Sequence, residues 1–185
     1  MNIKTDDAVL VEKFLKGDES AFNLIVIKYR QRIYWHARRM TGNHFDADEV
    51  LQEVLIVLYE KLSNFRSKSS LYTWIYKITS TRAINLLRRN KVRSFFSIDD
   101  DDRPDIPGED DILGNLENKE KLSLLDSVLQ KLPEKQREVF ILRHFDELSY
   151  EEIAEITGKS VGGLKANYFH AARRVAELME EYNEK

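Results

Sequence analysis

Apolar residues recur every three or four positions through most of this chain, the spacing of amphipathic helices, and nowhere settle into strand-like alternation. Thr5 to Lys16 reads as a first helix stopped by Gly17. Asp18 or Ser20 can cap a second, running to Met40 with Gly42 beyond it. Phe22, Ile25, Val26, Tyr29, Ile33, Ala37 and Met40 form its repeat. Asp46-x-x-Glu49 has the form of a capping box, so a third helix is predicted with Leu51, Val54, Leu55, Leu58 and Leu62 on one face. Ser70 can cap a fourth, from Leu71 to about Lys91, carried by Trp74, Ile75, Ile78, Leu86 and Leu87. The pattern lapses over 94–115, where Pro104, Pro107, two glycines and four consecutive aspartates predict an open linker. It resumes in Glu117–Lys131 and in a helix whose first residue is Pro133. The capping box Ser149-x-x-Glu152 opens Tyr150–Thr157, Gly158 ends it, and Ser160 can cap a last helix reaching about Glu181. The expected fold is all-α: two small helical domains, 1–93 and 116–185, joined by a flexible acidic linker, 94–115. The second domain contains a helix-turn-helix.

Composition narrows the chemistry. There is no cysteine among the 185 residues, which excludes a disulfide scaffold, a thiolate zinc site and a cysteine nucleophile. The longest apolar runs, Leu24–Ile27 and Val54–Tyr59, fall far short of the ~20 residues that span a bilayer. The N-terminal MNIKTDDAVL is acidic where a signal peptide would be basic and then apolar, so no membrane insertion and a cytoplasmic location are expected. The net charge of −3 conceals an asymmetry. Residues 1–97 hold 17 basic and 10 acidic side chains, net +7; residues 98–120 are net −8; residues 121–185 are net −2. A basic front and an acidic middle suit different partners.

Two segments point to nucleic acid. LSYEEIAEITGKSVGGLKANYFHAARRV, residues 148–175, reads as a short helix, a tight turn and a second helix locked by Ile153, Ala154, Ile156, Val161 and Leu164. Such a second helix enters a major groove, and its outward face offers Lys165, Asn167, Phe169, His170, Arg173 and Arg174. Residues 65–91 interleave Phe65, Tyr72, Trp74 and Tyr76 with Arg66, Lys68, Lys77, Arg82, Arg88, Arg89 and Lys91, and contain no acidic residue. Aromatic faces among cations suit unstacked bases and their phosphates. Trp74 is expected in the core. A third cluster is acidic: Asp46, Asp48, Glu49, Gln52 and Glu53. No Glu-x-x-His occurs, and the four histidines are scattered, so neither a metal site nor a catalytic triad is expected and no cofactor is implied.

Taken in order, DADEVLQEVLIVLYEKL, FRSKSSLYTWIYKI, the acidic linker and LPEKQREVFILRHFDELSYEEIAEITGKSVGGLK resemble a bacterial extracytoplasmic-function sigma factor of the sigma-70 family, from about residue 8 to 178. The resemblance implies a non-catalytic subunit that directs promoter-specific transcription initiation by core RNA polymerase, with promoter DNA and an anti-sigma factor as further partners. It places polymerase docking on Asp48, Glu49, Gln52 and Glu53. Minus-ten recognition and melting fall to Phe65, Arg66, Lys68, Tyr76, Lys77, Thr81, Arg82, Asn85, Arg88 and Arg89. Minus-thirty-five recognition falls to Ser160, Lys165, Asn167, Phe169, His170, Arg173 and Arg174. The chain departs from the family where Thr81 replaces a frequent Asn, at Gly163–Leu164, at Asn167 and His170, and at Ala172. The alternative is a free-standing helix-turn-helix regulator, which would not need the aromatic and basic segment 65–91.

Overall fold

The computed structural model describes residues 6–65, 70–96 and 116–183. All regular structure among them is helical. The elements are α1 (Asp7–Leu15), α2 (Glu19–Thr41), α3 (His44–Lys61), a 3-10 turn (Leu62–Asn64), α4 (Leu71–Phe96), α5 (Leu116–Gln130), α6 (Glu134–Phe140) running into a π turn (Ile141–Phe145), α7 (Tyr150–Thr157) and α8 (Val161–Asn183). Most of the expected punctuation is in place. Asp18 caps α2, Gly42 ends it in the left-handed region, and Ser70 Oγ accepts from Thr73 N at 3.0 Å. The capping box Ser149–Glu152 opens α7.

Three boundaries differ from the sequence reading. The cap of α3 is Asn43, whose side chain accepts from Asp46 N at 2.8 Å, so the helix starts ahead of Asp46. Asn43 also donates to Asp46 Oδ2, and this local pair displaces the expected Asp46–Glu49 box. Helix α4 continues through Phe96, because nothing in Val92–Phe96 breaks a helix; residues 94–96 therefore belong to it and not to the linker. The remainder of the linker, 97–115, lies outside the described residues. Pro133 is the cap of α6 and not its first turn.

In the first half, Ile25, Ile33, Met40, Val50, Val54, Leu58, Leu62, Leu71 and Ile75 are buried in one cluster, the inward faces of α2, α3 and α4. In the second, Val139, Leu142, Leu148, Ile153, Ile156 and Leu164 pin α7 against α8 across the turn at Gly158, whose φ of 69° favours glycine.

The halves also pack on each other. Leu129, Leu132, Phe140, Ile141 and Ala171 join the same buried cluster as the first half's core. A helix leaves its last carbonyls without intrahelical partners. At the end of α2 the second half supplies them: Gln130 Nε2 donates to Arg39 O at 3.1 Å and Arg137 Nη1 to Met40 O at 2.9 Å. A guanidinium at this end also suits the negative pole of the helix. Arg137 is itself held by a hydrogen bond to Gln130 Oε1, and Arg38 pairs with Asp126 at 3.4 Å in a mostly buried setting.

Candidate nucleic-acid interface

Helix α3 shows two adjacent outward strips. At about 100° per residue, Phe45, Asp48, Gln52, Ile56 and Tyr59 share one narrow face. Phe45, Ile56 and Tyr59 are large apolar groups left exposed, and Gln52 stands among them. Beside this face runs an acidic strip that meets α4: Glu49 hydrogen-bonds Arg89, and Glu53 lies 3.5 Å from Arg82. Of the four docking candidates, Asp48 and Gln52 therefore face outward, while Glu49 and Glu53 are half shared with the basic helix. The sequence reading missed Phe45, Ile56 and Tyr59; the three- and four-residue steps along Phe45, Asp48, Gln52, Ile56 and Tyr59 were the available signal.

On α4, Lys77, Thr81, Asn85 and Arg88 form an exposed stripe, with Arg82 and Arg89 along its acidic border. Thr81 Oγ1 donates to Lys77 O at 2.7 Å, so its hydroxyl turns back on the helix. Phe65 comes directly after the 3-10 turn and stands 5.3 Å from the half-buried Trp74, ring centre to ring centre. Trp74 packs on the core cluster, as expected. Arg66 and Lys68 lie outside the described residues.

Tyr76 is placed differently from its stripe neighbours. It is 2% exposed, and its ring sits in the second half's cluster with Val139, Leu142 and Leu148. Its hydroxyl donates to Asp146 Oδ1 at 3.2 Å. Burial, reinforced by the Asp146 carboxylate, pushes this phenol's pKa well above the ordinary value. In this conformation Tyr76 is closed to solvent, whereas Lys77, Thr81, Asn85, Arg88 and Arg89 are exposed.

Helix α8 buries Leu164, Ala171 and Leu178, and turns Lys165, Phe169, His170, Arg173 and Arg174 outward. Phe169 is 62% exposed, its ring edge-on to His170 at 5.7 Å. Ser160 Oγ accepts from Gly163 N at 3.3 Å and so serves as the cap. Asn167 donates to Gly163 O at 2.9 Å, which commits its amide to the helix. Glu177 holds Arg173 at 3.3 Å and Arg174 at 3.2 Å, so both cations are pre-oriented along the same edge. A depression of about 300 Å³ beside them is lined by Lys131, His170, Arg173 and Arg174. Among the described residues no cluster of histidine and acidic side chains could hold a metal ion, and no helix is long and apolar enough to cross a membrane.

Known proteins carry the same pattern. Residues 25–93 match the family described as Sigma-70 region 2, and residues 122–175 match Sigma-70, region 4. The chain is 32% identical over 188 residues to the RNA polymerase sigma-H factor of Pseudomonas aeruginosa, covering 97% of each. It is 34% identical over 182 residues to the ECF RNA polymerase sigma-E factor of Escherichia coli K12, covering 95% of each. Among solved structures it resembles CnrH in complex with the cytosolic domain of CnrY, with a TM-score of 0.72 at 20% identity over 95% of this chain and 97% of that one. It also resembles the Bartonella quintana sigma factor RpoE in complex with the anti-sigma factor NepR, with a TM-score of 0.71 at 23% identity over 86% and 96%. At these identities the structural likeness speaks for the fold.

Proposed function

The chain belongs to the sigma-70 family and is a promoter-recognising sigma factor of the extracytoplasmic-function group; we propose that its outward faces divide that task. Its partners are core RNA polymerase and promoter DNA, and sigma factors of this kind are initiation factors without chemistry of their own. A free-standing regulator is not the reading these relatives support.

The division of labour tracks the surfaces. Asp48 and Gln52, flanked by Phe45, Ile56 and Tyr59, have the make-up of a protein interface: aromatic and aliphatic anchors with a few polar groups to set register. This face, with Glu49 and Glu53 at its edge, docks on the polymerase. The α4 stripe of Lys77, Thr81, Arg82, Asn85, Arg88 and Arg89, with Phe65, Arg66 and Lys68, engages the melted minus-ten strand, and Tyr76 joins them only on leaving its buried seat. Single-stranded DNA is bound by such combinations of cations and aromatic platforms. Lys165, Phe169 and His170 on α8 read the minus-thirty-five major groove, and Ser160, Asn167, Arg173 and Arg174 position the helix on its backbone.

These roles assign minus-ten work and docking to a first domain, 1–93, and upstream readout to a second, 116–185, with the acidic segment between them. The chain works in the cytoplasm, where its polymerase is, and an anti-sigma protein is a fitting regulator, since one structural neighbour, the Bartonella quintana RpoE, is held by an anti-sigma factor. The observation that carries the reading is the coexistence, in one chain and in family order, of an exposed basic stripe on α4 and an outward cation–aromatic face on the helix-turn-helix. The test is run-off transcription by core polymerase on the DNA upstream of the chain's own gene. Promoter-specific transcripts that require the chain support the reading; their absence at every promoter probed overturns it.

A further inference from the structure

Asp146 is the last residue of a polar cluster built from both halves. It sits just past the π turn and is 9% exposed, and both its carboxylate oxygens are engaged by the first half. His36 Nδ1 lies 2.6 Å from Oδ2, and Tyr76 donates to Oδ1 at 3.2 Å. Since a carboxylate only accepts, His36 carries its proton on Nδ1. Its other nitrogen, Nε2, lies 3.0 Å from Ser80 Oγ, so a fully buried imidazole is satisfied at both ends. Tyr72 adds a bond from its hydroxyl to Asp146 O at 2.8 Å. Other charged side chains near the cluster are Arg39, stacked 4.2 Å from the Phe145 ring, Arg32, over Tyr72 at 5.4 Å, Glu147, which lines the same depression, and Glu152, which acts on Tyr72.

The cluster draws on α2 (His36), α4 (Tyr72, Tyr76, Ser80) and the loop after the π turn (Asp146). No side-chain bond from Asp146 to its own half is part of it. It therefore does little for the helix-turn-helix itself and much for the contact between halves. A buried hydrogen-bonded pair of this kind is unforgiving, because removing one member leaves the other desolvated and alone.

We propose that Asp146, bracketed by His36 and Tyr76, is a latch that holds the free chain closed and keeps Tyr76 inside the helix-turn-helix half until polymerase and promoter draw the halves apart. Tyr76 then has two alternative seats, and occupying one vacates the other. The functional value of the latch rests on the reading of Tyr76 as a minus-ten residue; its existence does not.

The test uses the full chain. Because the sequence has no cysteine, Glu60→Cys on α3 and Glu180→Cys on α8, both positions away from the core, give two unique labelling sites, one per half. Electron-spin distance measurements are made on this background, on Asp146→Ala, and on the nearly isosteric Asp146→Asn. Far-UV circular dichroism accompanies each to show that helix content is kept. The wild-type pair should give one short, narrow distance distribution. Both variants should move to longer, broader separations, with the open-to-closed ratio raised by roughly a hundredfold, the scale expected for orphaning a buried partner. A wild-type chain that is already broad, or variants with full helix content that stay narrow, would overturn the latch. Binding of a fluorescent single-stranded oligo-dA to the same proteins separates the two readings. Variants that open and bind at least about tenfold more tightly support both. Variants that open without gaining affinity leave the latch standing and remove Tyr76 from the minus-ten surface.

Discussion

Replacing Gly42 by alanine probes the seam between the halves from the α2 side. Gly42 has a φ of 88°, and a Cβ there would stand 2.6–2.8 Å from Cδ, Cγ and Nε2 of Gln130. Gly17 is its natural reference, with a φ of 92° and nothing within 4 Å of the added atom. Both substitutions carry the left-handed backbone penalty, about 1–2 kcal/mol. Only Gly42→Ala must also move a side chain. The glutamine is flexible and can swing away, but it then surrenders its bond to Arg39 O and its grip on Arg137. At about 0.5–1.5 kcal/mol per hydrogen bond, and somewhat more where a charged group is involved, the excess of Gly42→Ala over Gly17→Ala should be about 1–3 kcal/mol. Urea unfolding monitored by tryptophan fluorescence suits the measurement, because Trp35 and Trp74 both belong to the first half and Trp35 lies beside Arg39 at the seam. In a double-mutant cycle, Gln130→Ala should remove the excess, since the clashing group is then gone. Equal losses for the two glycine variants, or an excess that survives Gln130→Ala, would refute the reasoning.

Gln52→Ala combined with Glu53→Lys should weaken core-polymerase binding by at least ~1–2 kcal/mol, read by competition against another sigma factor; undiminished competition removes docking from this face. Ile56→Ala should weaken the same binding without affecting stability by more than about 0.5 kcal/mol, because the side chain is 58% exposed. In a binding-site selection, His170→Ala should change the preferred upstream element, each base-edge contact being worth ~1–3 kcal/mol, whereas Arg173→Ala should weaken all sequences alike and lower the salt dependence. Tyr29, Tyr72 and Tyr76 all have phenol pKa values raised, chiefly by burial. The folded state thus keeps protons that the unfolded chain releases above the ordinary phenol value of 10.0, so stability should be full below that pH and fall above it. Urea midpoints for the wild type and Tyr76→Phe across that range check this, the variant falling less steeply.

The helices were legible because their signals are local. Asp18, Ser149 with Glu152, Gly42 and Gly158 act within one turn of themselves, and they stop and start elements where their chemistry requires. Where two local signals competed, the nearer and better shaped one won: Asn43 reaches Asp46 N and overrides the Asp46–Glu49 box. The outward faces of α4 and α8 were legible for the same reason, since a 3.6-residue period sorts cations from core residues. The seam was not legible. His36 finds Asp146 across 110 positions of sequence, and Arg137 finds Met40 O across 97. No periodicity relates such partners. Tyr76, in an aromatic and basic run, looks from the sequence like its neighbours; only the second half's cluster distinguishes it.

The π turn at Ile141–Phe145 holds one residue more than an α turn, marked by the bond from Asp146 N to Ile141 O at 3.1 Å. Removing any one residue of the five would restore α geometry and rotate the downstream chain by about 100° against α6. Asp146 and α6 could not then both keep their present partners. In evolutionary terms, a single in-frame codon deletion would take Asp146 out of register with His36 and Tyr76, while the seam contacts made upstream of it by Gln130, Arg137 and Phe140 would stay. The helix-turn-helix and its groove-facing side chains lie downstream of that codon and would be inherited unchanged. A lineage in which a looser seam became an advantage would have a one-step route toward it, and the length of this stretch, more than the identity of any residue in it, is where that history would be written.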